Sequence, residues 1–171
     1  MSEFLVLTVV ADDKPGIVEQ LSATIAEHQG NWLESRMAQL AGKFAGILRV
    51  SIPPEQKNAL ISALSALDSR GLLVRVESPA TEEVLQSNHR VSISVVGNDR
   101  PGIVREVSQA LAKVGVNVLN LSTRCVPAEM SAVPLFRSEI LASVPDQLDD
   151  SDVSDALEAL SDDLMVEIEP S

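Results

Sequence analysis

Two short phrases hold the residues whose types and spacing could bind a ligand. DDKPGIV begins at Asp12 and NDRPGIV begins at Asn98, each directly after a run rich in β-branched residues. Neither phrase contains a catalytic group. Each places a glycine, Gly16 or Gly102, where a strand gives way to a helix, and glycine leaves the first N–H groups of that helix unobstructed. Such groups, at the positive end of a helix dipole, suit a carboxylate or another small anion.

The local pattern also allows a purely structural interpretation of both phrases. A tight strand-to-helix turn can need glycine for packing, and duplication copies structural features as well as functional ones. In either case Asp13 and Asp99 are predicted N-caps that satisfy amides of the first helical turn. The proline two residues after each aspartate is predicted to lie in that turn, where its missing N–H costs nothing.

Other reactive side chains form no catalytic or metal-binding pattern. Cys125 is the single cysteine, and a cysteine nucleophile needs a nearby base. The two histidines, His28 and His89, form no motif with it and no spaced His/Cys set for a metal. The sequence therefore predicts a protein without enzymatic activity, metal or other cofactor.

The elements that position the two phrases also occur twice. An offset of 86 residues aligns Gly16 with Gly102 and Asn31 with Asn117. Each copy reads as strand, helix, two strands, helix and strand, because β-branched runs alternate with apolar residues at helical spacing. This βαββαβ order predicts an α+β protein of two tandem ferredoxin-like domains with antiparallel sheets. The predicted domains are 1–78 and 89–171, joined by a polar linker at 79–88.

Charge and composition restrict the class of partner. The 171 residues carry a formal net charge of −12, and 45% of them are hydrophobic. An acidic surface repels nucleic acid, because that binding depends on Lys and Arg. We expect no direct nucleic-acid binding and no membrane span, and a single cysteine fits a reducing compartment, the cytoplasm. The segment 146–169 has ten Asp or Glu and no Lys or Arg, which predicts a solvated helix face.

The DKPGIV and DRPGIV phrases, set in βαββαβ units, resemble the ACT domain, a regulatory module that senses small molecules. With NLSTRCVPAE from Asn120 onward, the paired arrangement resembles the glycine cleavage system transcriptional repressor family over nearly the whole chain. The resemblance implies a non-enzymatic sensor of a small amino acid, glycine or similar. It also implies control of transcription through a protein partner such as a DNA-binding activator. The alternative is a detached ACT regulatory subunit that gives feedback control of a metabolic enzyme.

The resemblance assigns ligand binding to both phrases and to one asparagine after each. The first glycine loop is Asp12, Asp13, Lys14, Pro15, Gly16, Ile17 and Val18, and the second is Asn98, Asp99, Arg100, Pro101, Gly102, Ile103 and Val104. Backbone amides near the glycines would hold a carboxylate, and Asp13, Asp99 or Asn98 would face an ammonium group. Asn31 and Asn117, at the start of the second strand of each unit, are either near these loops or caps at the sheet edge.

The resemblance leaves open whether the two units pair within one chain or across a homodimer. The two loops also differ by one residue, Asp12 against Asn98. A second carboxylate beside a ligand carboxylate is unfavourable, whereas an asparagine side chain can both donate and accept. The second glycine loop is therefore the predicted better site.

Overall fold

The computed structural model describes residues 1–80 and 88–171, and the chain divides into two compact units, Met1–Thr81 and Glu82–Ser171. The predicted linker, 79–88, lies largely outside the described residues. Among the helices of the described ranges, none is long and apolar enough to cross a membrane.

The first unit is a four-stranded antiparallel sheet with two helices on one face. Its strands are β1 (Glu3–Asp12), β2 (Asn31–Leu40), β3 (Lys43–Ile52) and β4 (Leu73–Glu77). Its helices are α1 (Ile17–Glu27) and α2 (Lys57–Ala66), and α2 is flanked by short 3₁₀ helices at Pro54–Gln56 and Leu67–Arg70. The strand order β2-β3-β1-β4 places β1, which leads into the first glycine loop, inside the sheet.

The second unit repeats this architecture. Its strands are β5 (Asn88–Asn98), β6 (Asn117–Val126), β7 (Leu135–Pro145) and β8 (Met165–Pro170). Its helices are α3 (Ile103–Lys113) and α4 (Asp150–Glu158), and its strand order is β6-β7-β5-β8. The βαββαβ order predicted for both copies, and with it the α+β ferredoxin-like fold, is confirmed.

Alternation along the inner strands decides which face of each sheet is buried. Three apolar residues of β1 and three of β5 point into the two cores at every second position: Leu5, Leu7, Val9, Val91, Ile93 and Val95. Residues one helical turn apart on α1 and α3 cover them: Ile17, Leu21, Ile25, Ile103, Val107 and Leu111. Both glycine loops therefore start from a rigid strand and end in a helix anchored on the core.

The two sheets correspond residue by residue. The edge strands β2 and β6 each have one bulge near their start. Their pairing with β3 and β7 is otherwise regular. Met37 opposite Gly46 in the first unit therefore corresponds to Thr123 opposite Ser138 in the second. Any difference between such pairs is a difference in side chains, because the bulges and registers match.

Candidate functional site

Each loop glycine adopts a backbone conformation that other residues reach only at a cost. Gly16 has φ +92° and Gly102 has φ +87°. In the second unit the Ile103 N–H donates to the Arg100 carbonyl oxygen at 3.3 Å and closes a four-residue turn around Pro101 and Gly102. Proline followed by a left-handed glycine is the composition of a type II turn. The glycines therefore have a structural role, whatever else they do.

The prediction that Asp13 and Asp99 cap the helices is wrong. The glycines occupy the N-cap positions, and within the described residues no side chain caps α1 or α3. The prolines precede the helices instead of lying in their first turn, because the turn requires proline directly before the glycine. The Asp13 N–H donates to the Gly42 carbonyl at 2.9 Å, and the Asp99 N–H to the Pro134 carbonyl at 2.8 Å. Each aspartate thus ties its loop to the hairpin after the edge strand.

The absence of side-chain caps on α1 and α3 leaves backbone donors open at both helix starts. The first backbone bonds run from the Gln20 N–H to the Gly16 oxygen and from the Glu106 N–H to the Gly102 oxygen, both at 3.0 Å. Between these bonds, the Ile103 N–H of α3 donates to the Arg100 oxygen, whereas the Val104 and Arg105 N–H groups have no acceptor within the helix, like the first amides of α1. A Cβ placed on either glycine would meet no atom within 4 Å, so the space in front is open. Each loop therefore presents partially positive N–H groups to a small anion.

The carboxylate of Asp12, beside the first loop, is neutralised from the neighbouring strand. Lys43, its cross-strand partner in β3, forms an ion pair with it. The hydrogen bond and the charge of Lys43 hold the pKa of Asp12 below its ordinary value of 3.8. The corresponding pair in the second unit is Asn98 with Leu135, which carries no charge. The repulsion expected from Asp12 is offset, so the predicted preference for the second loop loses its electrostatic basis.

The second loop is held by charged side chains around it. The Asn98 N–H donates to Oδ2 of Asp163 at 2.8 Å, and Arg100 Nη1 lies 2.6 Å from Glu106 Oε2. Hydrogen bonds from the Ser161 hydroxyl and then from the Asn98 N–H lower the pKa of Asp163. Nη1 of Arg100 is thus engaged by Glu106 of α3, whereas its Nη2 is buried without a hydrogen-bond partner among the described residues. The backbone N–H groups are the donors that open space leaves accessible to an anion.

Asn31 and Asn117 lie away from the loops. Asn31 pairs with Ser51 of β3, and Ser51 pairs in turn with Phe4 of β1. Phe4 precedes Asp12 by eight residues of extended strand, or about 26 Å at a rise of ~3.3 Å per residue. Asn117 occupies the equivalent position in the second sheet. Each asparagine therefore stands at the far end of its own sheet and does not join the glycine loop of its own unit.

Sequence reasoning missed the contact of the second loop with Cys125. The thiol lies beside Asp99, because the β6–β7 register places Cys125 opposite Phe136 at the loop end of the sheet. Desolvation and then the hydrogen bond with Asp99 raise the pKa of Cys125. The thiol is therefore protonated near neutral pH and is not an activated nucleophile.

The fold and the paired glycine loops define a class of protein. Two models of the ACT domain match the chain, one over residues 3–79 and one over residues 91–162. The protein belongs to the ACT-domain family and consists of two tandem ACT domains, as the sequence predicted.

More specific relatives support an amino-acid-sensing regulator. The chain is 25% identical over 165 residues to the glycine cleavage system transcriptional repressor of Escherichia coli (strain K12), covering 94% of this chain and 85% of that protein. The Shigella flexneri protein of the same name gives the same values. The crystal structure of an unknown protein from Galdieria sulphuraria is 29% identical, with a TM-score of 0.83 over 100% of this chain and 99% of that one. A candidate glycine cleavage system transcriptional repressor, 19% identical and covering 100% and 99%, shares the fold with a TM-score of 0.71.

Proposed function

We propose that this protein is a non-enzymatic sensor of a small amino acid and that it regulates transcription through a protein partner. The family and the two relatives named as transcriptional repressors support this function. They favour it over a detached regulatory subunit of a metabolic enzyme. The observation that carries the proposal is the open set of backbone N–H groups behind Gly16 and Gly102.

An α-amino acid matches the chemistry of these loops at both of its charged groups. Its carboxylate accepts from the uncapped N–H groups of the first helical turn, where the helix dipole adds to the attraction. Its ammonium group donates to Asp13 in the first loop, or to Asp99 or the Asn98 side chain in the second. The amino-acid side chain is then the part that distinguishes one ligand from another.

The charge of the chain supports a mechanism in which the partner makes the DNA contacts. Asp and Glu outnumber Lys and Arg by 25 to 13, and the net charge is −12. A surface of this sign gains nothing from the counterion release that drives nucleic-acid binding. A DNA-binding activator that this protein captures or releases would provide the link to gene control.

Sensing requires that the amino acid bind one state of the protein better than another. A ligand shifts an equilibrium only by the ratio of its affinities for the two states. Couplings between two binding sites are typically about 1–3 kcal/mol, or roughly 5- to 150-fold in affinity. We therefore expect the amino acid to change the affinity for the partner within this range.

Thermal unfolding of the full chain with a panel of amino acids tests the ligand. At about one hundred times its Kd, a ligand adds about 2.7 kcal/mol to the free energy of unfolding. Gly102→Val and Gly16→Val should each abolish the stabilisation that their own loop provides. Gly115→Val is the matched control, because Gly115 is also left-handed, with φ +81°, but follows the other end of α3. Stabilisation that survives in the double variant Gly16→Val with Gly102→Val would contradict the proposed site.

Affinity capture with the tagged protein, with and without the amino acid, tests the partner. Recovery of a DNA-binding regulator whose yield changes with the amino acid supports the proposal. Recovery of a metabolic enzyme would contradict the proposal and favour the alternative function, a detached regulatory subunit of that enzyme.

A further inference from the structure

A small apolar cavity lies in the second unit between α3 and the edge strand β6. Val104 and Val107 line it from the helix, Leu121 and Thr123 from the edge strand, and Ser138 from β7. Its volume is about 20 Å³, and a single water needs roughly 10–15 Å³ measured in the same way. The cavity therefore accommodates a small group, such as the end of a short side chain.

Ser138 places one unpaired hydroxyl in this apolar cavity. The residue is 1% exposed, and its Oγ has no hydrogen-bond partner among the described residues. A buried hydroxyl without a partner is destabilising, because it has lost its bonds to water and gained none. The Ser138 hydroxyl is therefore available to a bound group that can donate to it or accept from it.

The same place in the first unit is filled by protein. Met37 corresponds to Thr123, and Gly46 corresponds to Ser138. The Met37 side chain packs against the core and occupies the space that a Cβ on Gly46 would need. Where the first unit has a long side chain over a glycine, the second has two short hydroxylated side chains.

A second pair of residues opens the cavity further. Trp32, at the start of β2, packs against the first core, whereas its counterpart Val118 in β6 is 37% exposed and lines the cavity. On the helix side Val104 and Ser108 correspond to Val18 and Ser22 at the offset of 86, but Val107 corresponds to the larger Leu21. The opening is therefore encoded in the strand side chains of the second unit together with Val107.

We propose that this cavity receives the side chain of the amino acid held at the second glycine loop, and that this side chain is short, branched and hydroxylated, as in threonine. The inference rests on the function proposed above. Val104 connects the two parts of the site: its N–H belongs to the first turn of α3, and its side chain lines the cavity. The apolar walls match a methyl group, and Ser138 supplies the hydrogen bond for the hydroxyl.

Threonine and valine provide the sharpest comparison, because their side chains have nearly the same shape and differ by one hydroxyl. Threonine pairs with Ser138, whereas valine leaves that hydroxyl buried and unpaired. One hydrogen bond of this kind corresponds to roughly tenfold in affinity. Glycine has no side chain, and its binding reports the loop alone.

Isothermal titration of the full chain with glycine, L-valine and L-threonine tests the inference. We expect threonine to bind about tenfold more tightly than valine. Ser138→Ala should reduce that ratio to about twofold or less, because both ligands then meet an apolar wall. Ser122→Ala is the matched control, since Ser122 precedes Thr123 in β6 and points to the other face of the sheet.

A second variant gives the second unit the side chains that the first unit has at two positions. Thr123→Met with Ser138→Gly should fill the cavity, remove the gain from the threonine side chain and leave glycine binding within about threefold. Its thermal unfolding shows that the unit still folds. Equal affinities for threonine and valine, or a threonine preference that persists in Ser138→Ala, would overturn the inference while glycine binding still supports the proposed function. If none of the three amino acids binds, the proposed function fails, and the inference fails with it.

Discussion

The backbone N–H of Asn98 donates a 2.8 Å hydrogen bond to Oδ2 of Asp163, a residue 65 positions later in the chain. Gly97 makes the close approach possible, because a Cβ there would overlap the side chain of Leu164. The contact fixes the entrance of the second glycine loop against the turn before β8. In the first unit the position that corresponds to Asp163 is Gly71, which has no side chain to accept such a bond.

Replacing the acceptor should loosen the entrance of the second loop. In Asp163→Ala we expect faster amide hydrogen exchange at Asn98 and a lower unfolding temperature of the second unit. The exposed neighbour Asp162 is the control, and Asp162→Ala should leave the Asn98 amide unchanged. An Asn98 amide that exchanges at the same rate in both variants would show that the bond does not hold the loop.

The same contact predicts an acid-dependent loss of stability. Bonds from Ser161 and Asn98 lower the pKa of Asp163 in the folded protein below the ordinary value of 3.8. A group whose pKa is lowered on folding stabilises the protein above its unfolded pKa, and this contribution is lost as the pH falls through the folded pKa. An NMR titration of the Asp163 carboxyl should therefore give a midpoint below 3.8 in the wild type.

The left-handed glycines of both loops should respond alike to substitution. At φ +92° and φ +87°, Gly16 and Gly102 face open space, so a new side chain meets backbone strain and no clash. We expect Gly102→Ala and Gly16→Ala each to lower the free energy of unfolding by about 1–2 kcal/mol. Asparagine visits this backbone region more readily, so Gly102→Asn should cost less than Gly102→Ala in urea denaturation. Equal costs would mean that the turn relaxes away from its left-handed form.

The fold could be predicted from the sequence because the apolar residues of each strand or helix recur at the spacing typical of that element. Alternating apolar residues mark β1 and β5, helical spacing marks α1 and α3, and the repeat confirms each element by its copy. The helix caps could not be predicted in this way, since two local rules compete at the same phrase. Aspartate is a good N-cap, but the Pro-Gly pair that follows forms a type II turn and moves the helix start to Ile17 or Ile103.

The site was only partly predictable, because its surroundings depend on contacts between distant residues. Lys43 neutralises Asp12 only through the β1–β3 register, and that pairing joins residues 31 positions apart. The resemblance left Asn31 either near the loop or as a cap at the sheet edge, and the register of β2 places it at the far end of the sheet from the loop of its own unit. The cavity depends on the pairing of Ser138 in β7 with Thr123 in β6. No local sequence pattern reveals that pairing.

His89 should make the second unit more stable at lower pH. Its Nε2 lies 3.0 Å from an Asp150 oxygen and its Nδ1 lies 3.2 Å from an Asp146 oxygen, joining the start of β5 to the start of α4. Hydrogen bonds to Asp150 and then to Asp146 raise the pKa of His89 above its ordinary value of 6.5. The stabilisation is complete below the unfolded pKa and is lost as the pH rises through the folded pKa.

Thermal unfolding across that range checks the role of His89. We expect the unfolding temperature of the second unit to fall as the pH rises above 6.5, and His89→Gln to remove this part of the pH dependence. His28 is in the first unit, and His28→Gln should leave the dependence in place. A wild-type profile that is flat between about pH 6 and pH 8 would contradict the bridge.

A double-mutant cycle tests whether side chains alone fill, in the first unit, the place that is a cavity in the second unit. Met37→Thr should remove buried contacts and lower the free energy of unfolding by roughly 1–3 kcal/mol, since Met37 is only partly buried. Gly46→Ser should also destabilise, because its Cβ would collide with the Met37 side chain. The double variant reproduces the Thr123–Ser138 pair of the second unit and removes the Met37 Cγ, while the Arg36 carbonyl oxygen at 2.9 Å and the Cβ of residue 37 at 3.0 Å stay close to the new Cβ. Its cost should therefore be smaller than the sum of the two single costs by about 0.5 kcal/mol or more in urea denaturation. Additive costs would mean that Gly46 is required by the backbone itself, and that the two units differ in more than these two side chains.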